Sequence, residues 1–106
     1  MSKYLFQASY TQAGVQGLLK EGGSGRREAL TQTVEGLGGS LDAMYYAFGD
    51  VDLLMVVDLP DEASAVALSM FIGAAGALDV TMKVLVSPET IDEAIRKNVS
   101  YRAPGD

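Results

Sequence analysis

Three short stretches hold the residue types able to do chemistry. The first is Gly22-Gly23-Ser24-Gly25-Arg26-Arg27. Glycines ahead of a helix leave backbone N–H groups free, and the helix dipole favours an anion there. Two arginines add charge and forked donors. The Gly-Lys-Ser/Thr ending of a phosphate-binding P-loop is missing. Arg27 precedes Leu30 by three positions and Val34 by seven, which puts it on or beside the inward stripe, where a cation needs a partner. The plainer reading is a helix break with an internal salt bridge to an acid. The second stretch holds Asp50 and Asp52, spaced to share a face of a turn and so to bind a cation or act as acid and base. As turn residues they bond nearby backbone N–H groups instead, and Asp52 also has Arg26 or Arg27 as a structural partner. No third carboxylate has a spacing that would complete a metal site. The third group is aromatic: Tyr4, Phe6, Tyr10, Tyr45, Tyr46 and Phe48. Tyrosines give a pocket hydrogen-bonding tips, and they equally fill cores and subunit interfaces. Tyr101 and Arg102, near the C-terminus, either cap a neighbour's pocket or tie the tail down.

Composition removes several classes of function. Neither cysteine nor histidine occurs in the 106 residues, so disulfides, thiolate nucleophiles, Cys/His zinc sites and histidine bases are excluded from this chain. No cofactor is expected. With 14 acids against 8 bases the net charge is −6, which repels nucleic acid and anionic membranes unless the bases cluster. Neither partner is expected. The longest uncharged stretch, Ala63 to Leu78, is shorter than the roughly 20 residues of a spanning helix. Lys3-Tyr4-Leu5-Phe6 leads straight into a strand, with no signal pattern, so a cytoplasmic location is the default.

These residues need a scaffold, and its centre is Ser40 to Pro60. That stretch reads as two strands joined by a turn at Phe48-Gly49-Asp50-Val51-Asp52, with both strands apolar on both faces. On the first strand Leu41, Ala43, Tyr45 and Ala47 alternate with Asp42, Met44, Tyr46 and Phe48; on the second, Leu53 to Val57 is apolar throughout. Before the hairpin, Tyr4 to Tyr10 forms a strand with Tyr4, Phe6, Ala8 and Tyr10 on one face. Thr11 caps a short helix, Gln12 to Lys20, carrying Val15, Leu18 and Leu19. The glycines after it break the helix, which restarts at Arg26 and ends at Gly38-Gly39. After the hairpin, Pro60-Asp61-Glu62 opens a helix striped by Ala63, Val66, Ala67, Met70 and Ala74, with Leu68, Phe71 and Ile72 off the stripe. Val80 to Val86 is a fourth strand. Ser87-Pro88 starts a last helix with Ile91, Ala94 and Ile95, and Asn98 to Asp106 is a tail.

The whole is a single domain, residues 1–106, of α+β class: a ferredoxin-like βαββαβ unit with an extra C-terminal helix and a four-stranded antiparallel sheet. Right-handed crossovers place both long helices on one sheet face. The other face is expected to show Met, Phe, Tyr and Val, so two subunits are expected to pack sheet on sheet as a dimeric α+β barrel, with larger homo-oligomers also open.

At the hairpin and beyond, the chain resembles the GYD-domain family. The resemblance rests on Lys3-Tyr4-Leu5-Phe6, Tyr10-Thr11 with Gly14, Leu18-Leu19-Lys20-Glu21-Gly22, Arg26-Arg27, Gly38-Gly39, Phe48-Gly49-Asp50-Val51-Asp52, Asp58-Leu59-Pro60 and Tyr101-Arg102-Ala103-Pro104-Gly105. The family takes its name from a Gly-Tyr-Asp element at the hairpin. Here Gly49 and Asp52 are kept and Val51 stands where tyrosine is typical. The resemblance implies the dimeric α+β barrel pattern and no established activity. Three functions stay open. One is a homo-oligomer that binds a small, anionic organic ligand near Arg26, Arg27, Tyr46 and Asp52. Another is a cofactor-free oxygenase or isomerase with Asp50 or Asp52 as base and a tyrosine as proton donor. The last is an assembly module without a small-molecule site.

Overall fold

The computed structural model describes all 106 residues. In chain order they form β1 (Ser2–Tyr10), α1 (Gln12–Glu21), α2 (Gly23–Gly36), β2 (Ser40–Tyr46), β3 (Leu53–Leu59), α3 (Glu62–Ala74), β4 (Leu78–Leu85) and α4 (Pro88–Ile95). The strands make one four-stranded antiparallel sheet in the order β2-β3-β1-β4. The fold is α+β, with four helices beside that sheet.

Alternation along the central strands decides which face is dry. Tyr4, Phe6 and Ala8 of β1 and Leu53, Met55, Val57 and Leu59 of β3 are buried. The register sets Phe6 beside Met55 on one side and Met82 on the other, with Met44 beyond Met55. Leu30 and Val34 of α2 and Ala65 and Leu68 of α3 close over this layer. Each large side chain so buried contributes about 1.5–3 kcal/mol of transfer free energy.

The structure corrects the expected faces at three places. On α3 the buried residues are Ala65 and Leu68, with Ile72 packed against the core, while Val66 and Met70 are exposed. That helix is apolar nearly all round, so its periodicity carries little directional information. On β2 a bulge between Leu41 and Ala43 adds one residue, which brings Leu41 and Met44 onto the same covered face. The open sheet face is the expected Met, Phe, Tyr and Val surface only in part. Tyr4, Phe6, Met44 and Met55 lie under the helices, and the open face carries rows such as Ala43-Val56-Leu5-Lys83 and Tyr45-Leu54-Gln7-Thr81. At one end of that face Lys3 reaches across β3, its Nζ lying 2.6 Å from Asp42 and 3.2 Å from Asp58. Hydrogen bonds from Lys3 and then Ser40 hold the Asp42 carboxyl below its ordinary range.

The α1–α2 junction is tighter than the glycine count suggests. Gly22 alone takes a positive φ, 81°; its N–H donates to the Leu18 carbonyl and its own carbonyl accepts from the Arg26 N–H. Gly23 and Gly25 lie inside the first turn of α2, so that helix begins three residues before Arg26. At its other end α1 is pinned to the turn before β4. The Thr11 hydroxyl donates to the Gly76 carbonyl at 2.8 Å and accepts from the Gly14 N–H, and the Thr11 N–H donates to the Ala77 carbonyl. A Cβ on Gly14 would fall 2.0 Å from the Ala77 carbonyl oxygen, so this close approach requires glycine.

Two glycines of α1 therefore respond oppositely to the same substitution. Gly14→Ala is expected to destabilise by about 1–3 kcal/mol through overpacking. Gly17, with open space around its Cβ position, is expected to gain about 0.4–1 kcal/mol as Gly17→Ala. Urea denaturation midpoints moving in opposite directions would bear this out, and a harmless Gly14→Ala would refute the close packing.

Candidate functional site

The largest concavity lies at the Tyr10 end of the sheet, between α1, the start of α2 and the β2–β3 turn. It is an open groove of about 480 Å³ lined by Tyr10, Val15, Leu18, Gly23, Tyr46, Ala47, Phe48 and Asp52. A volume of this order is ordinary for a small-molecule site, as is a mainly apolar wall with a few polar groups.

Each wall has a local cause. Val15 and Leu18 are three apart on α1, so they share one face. Gly23 has no side chain, and a Cβ there would lie 3.2 Å from the Tyr46 ring, so the ring packs against bare backbone. On its other side Tyr46 stacks on Tyr10, with ring centroids 6.4 Å apart and planes 21° from parallel. Asp52 closes the floor. Its Oδ2 accepts the Tyr10 backbone N–H at 2.9 Å, its N–H donates to the Ala8 carbonyl, and its carbonyl accepts the Ala47 N–H.

Two buried side-chain oxygens lack a hydrogen-bond partner, Asp58 Oδ1 and the Tyr10 hydroxyl, and of these residues only Tyr10 lines the groove. Burial pushes the phenol above its ordinary range; the neighbouring Tyr46 adds to the rise and Arg26 opposes it. The hydroxyl therefore stays protonated at neutral pH; Tyr46 and Arg26 are near enough to act on it, but neither is placed to complete a well-aligned hydrogen bond. Leaving such a group unpaired costs about 1–3 kcal/mol.

The expected site residues separate. Tyr46 and Asp52 line the groove, and Arg26 sits beside Tyr10. Arg26 continues the i, i+4 row of Leu30 and Val34, which turns it inward, and its Nη1 lies 3.3 Å from Glu21 Oε1. Arg27, expected on or beside the inward stripe, is beside it, exposed on the flank of α2 near Met44 and Tyr45, because a three-residue step drifts off the row. Asp52 bonds backbone and not an arginine, which favours the turn reading; Asp50 is exposed and contributes its backbone carbonyl to the Ser9 hydroxyl. No group of three or more acids is placed to hold a metal ion. Tyr101 and Arg102 are exposed in the tail and line no part of the groove. The aromatic group divides as well. Tyr4 and Phe6 are core, Tyr45 is on the open face, and Phe48 is wholly exposed at the groove's lip.

Val15, Leu18 and Ala47 were not foreseen as site residues. The available signal was a short helix with apolar residues and no strand of its own to cover. A family model described as the GYD domain matches residues 4–95. The chain belongs to the GYD-domain family. The match covers the sheet, the groove and α4, and stops before the tail. Neither the curated proteins nor the solved structures include a match to this chain. Gly49 and Asp52 serve the turn below the groove, and Val51 lines no part of the groove. No helix is long and apolar enough to cross a membrane.

The raised Tyr10 pKa has a definite sign for stability. Above about pH 10 the unfolded chain ionises this phenol while the folded chain keeps it neutral. Stability from this group is full below that pH and is lost as pH rises beyond it. Between about pH 9 and pH 11 the denaturation midpoint should fall more steeply for the native chain than for Tyr10→Phe. At neutral pH the substitution should raise stability by about 1–3 kcal/mol, the cost of the unpaired hydroxyl it removes. Parallel slopes for the two chains would show that the phenol titrates freely.

Proposed function

We propose that this GYD-domain protein is a binding protein whose site is the groove above Tyr10. The supporting observation is the Tyr10 hydroxyl, a protonated donor buried without an acceptor at the edge of an open apolar groove. A small flat molecule with an apolar body and one carbonyl or carboxylate oxygen fits that chemistry. Its body would lie against Val15, Leu18 and Tyr46, and its oxygen would accept from Tyr10 once the stacked Tyr46 ring turns aside to uncover the hydroxyl. Arg26 is already partnered by Glu21, so its charge would help an anionic oxygen without demanding one. The ferredoxin-like reading of the strand order belongs to this proposal, because it places the groove at the free end of the central hairpin.

The groove favours holding over reacting. Tyr10 holds its proton more tightly than an ordinary phenol, so it is a poor acid and no base at neutral pH, and one oxygen of Asp52 is committed to the backbone. An oxygenase or isomerase would need a base aimed into the groove.

Titrating aromatic carboxylates and ketones into the labelled protein, followed by backbone NMR, tests the reading. Shifts should concentrate at Tyr10, Val15, Leu18 and Tyr46. Tyr10→Phe should weaken binding about fivefold, the loss of one hydrogen bond, and Leu18→Arg should abolish it. A panel that moves no resonance at the groove would sink the proposal.

A further inference from the structure

The C-terminal arm is left without cover. Residues 83–102 are all exposed, and no residue of α4 is buried. The chain measures 56 × 33 × 23 Å, with a radius of gyration of 16.9 Å, where a compact domain of this length has about 13 Å. Yet α4 is properly built: Ser87 caps it through the Thr90 N–H, and Pro88 opens its first turn. A helix of eight residues is marginal alone in water and draws its stability from a surface beneath it. Its apolar residues Ile91 and Ile95, one turn apart, are both exposed, as are Val99 and Tyr101 beyond it.

The arm leaves the sheet at the wrong end to serve its own groove. Leu85 pairs with Lys3, whereas the groove lies where Leu78 pairs with Tyr10. The two points are about 23 Å apart along β4. A two-fold pair with strands reversed would bring the arm's exit on one copy to the same end as the groove of the other, and the exchange would be reciprocal. Charge agrees with this placement. The arm, residues 87–106, carries three bases and four acids, but its bases Arg96, Lys97 and Arg102 gather beyond Glu89, Asp92 and Glu93, while residues 1–86 carry five bases and ten acids. Asp50 is exposed in the turn that forms the groove's lip, next to the wholly exposed Phe48.

We infer that the arm crosses to a second copy of this chain and closes that copy's groove, the partner's Tyr101 packing on Phe48 and the partner's Arg102 facing Asp50. The exchange is reciprocal, so each groove is complete only in the pair. Every exposed apolar side chain of the arm then counts twice towards the roughly 1,200–2,000 Å² that a stable association buries. The arrangement stands whether or not a ligand binds.

The absence of cysteine makes the test direct. Full-length Phe48→Cys and Tyr101→Cys chains, mixed and oxidised without ligand, should give a disulfide-linked heterodimer of twice 11.2 kDa in preference to either homodimer. Both positions are exposed, so both variants keep the core intact. Arg102→Glu should weaken self-association at least fivefold in sedimentation, and Asp50→Lys in the same chain should restore it. An intrachain disulfide in the Phe48→Cys/Tyr101→Cys double variant would overturn the inference. So would Met70→Cys on α3 capturing Tyr101→Cys ahead of Phe48→Cys, or an 11.2 kDa particle for the native chain at micromolar concentration.

Discussion

The structure depends on the dry contact between one face of β1 and β3 and the two long helices above it. β1 is bonded on both sides, to β3 and to β4, so its backbone is satisfied and its side chains set the register of the sheet. Tyr4, Phe6 and Ala8 then fix where α2 and α3 must lie. Beyond Ala8 that cover thins, and Tyr10 is only partly buried. The groove is what remains where the strand continues past its helices. Its contents follow from position: Tyr10 is the last residue of β1, Asp52 holds its amide, and α1 is anchored nearby through Thr11 and Gly14.

Much of the fold was legible where local chemistry and pattern agreed. The alternation of Tyr4, Phe6 and Ala8, the Thr11, Asp61 and Ser87 caps and Pro88 all have the roles their residue types suggest. Legibility failed where pattern was ambiguous or geometry non-local. On α3, apolar residues on every side hid which of them face the sheet. On β2, one extra residue shifted the alternation, and nothing in Asp42 itself announces a bulge. For Arg26 and Arg27, the inward row follows the four-residue step from Leu30, so the three-residue step leaves Arg27 on the flank beside it. Of the site, Tyr46 and Asp52 were visible because a turn and an aromatic strand are local. The meeting of α1 with Tyr10 was not visible, because it depends on Gly14 reaching Ala77 across the chain.

Charge is distributed to complement this plan. The buried core contains no charged residue. The Lys3, Asp42 and Asp58 cluster ties three strands together on the open face, where exposure keeps its energetic weight small. Its importance is directional: it occupies one end of a face whose middle is Leu5, Leu54 and Val56. That face is neither a plain solvent surface nor the wholly apolar surface that composition suggested.

The bulge at Leu41–Ala43 has a consequence for how copies of this protein avoid one another. β2 and β4 are the two outermost strands, and a straight outer strand offers a ladder of free amides on which a neighbour can zip. The additional residue bends β2 and steepens its twist, and it sets the charge of Asp42 at the kink. β4 carries Asp79 and Lys83 along its length. Both margins thus discourage lateral growth of the sheet into a continuous ribbon.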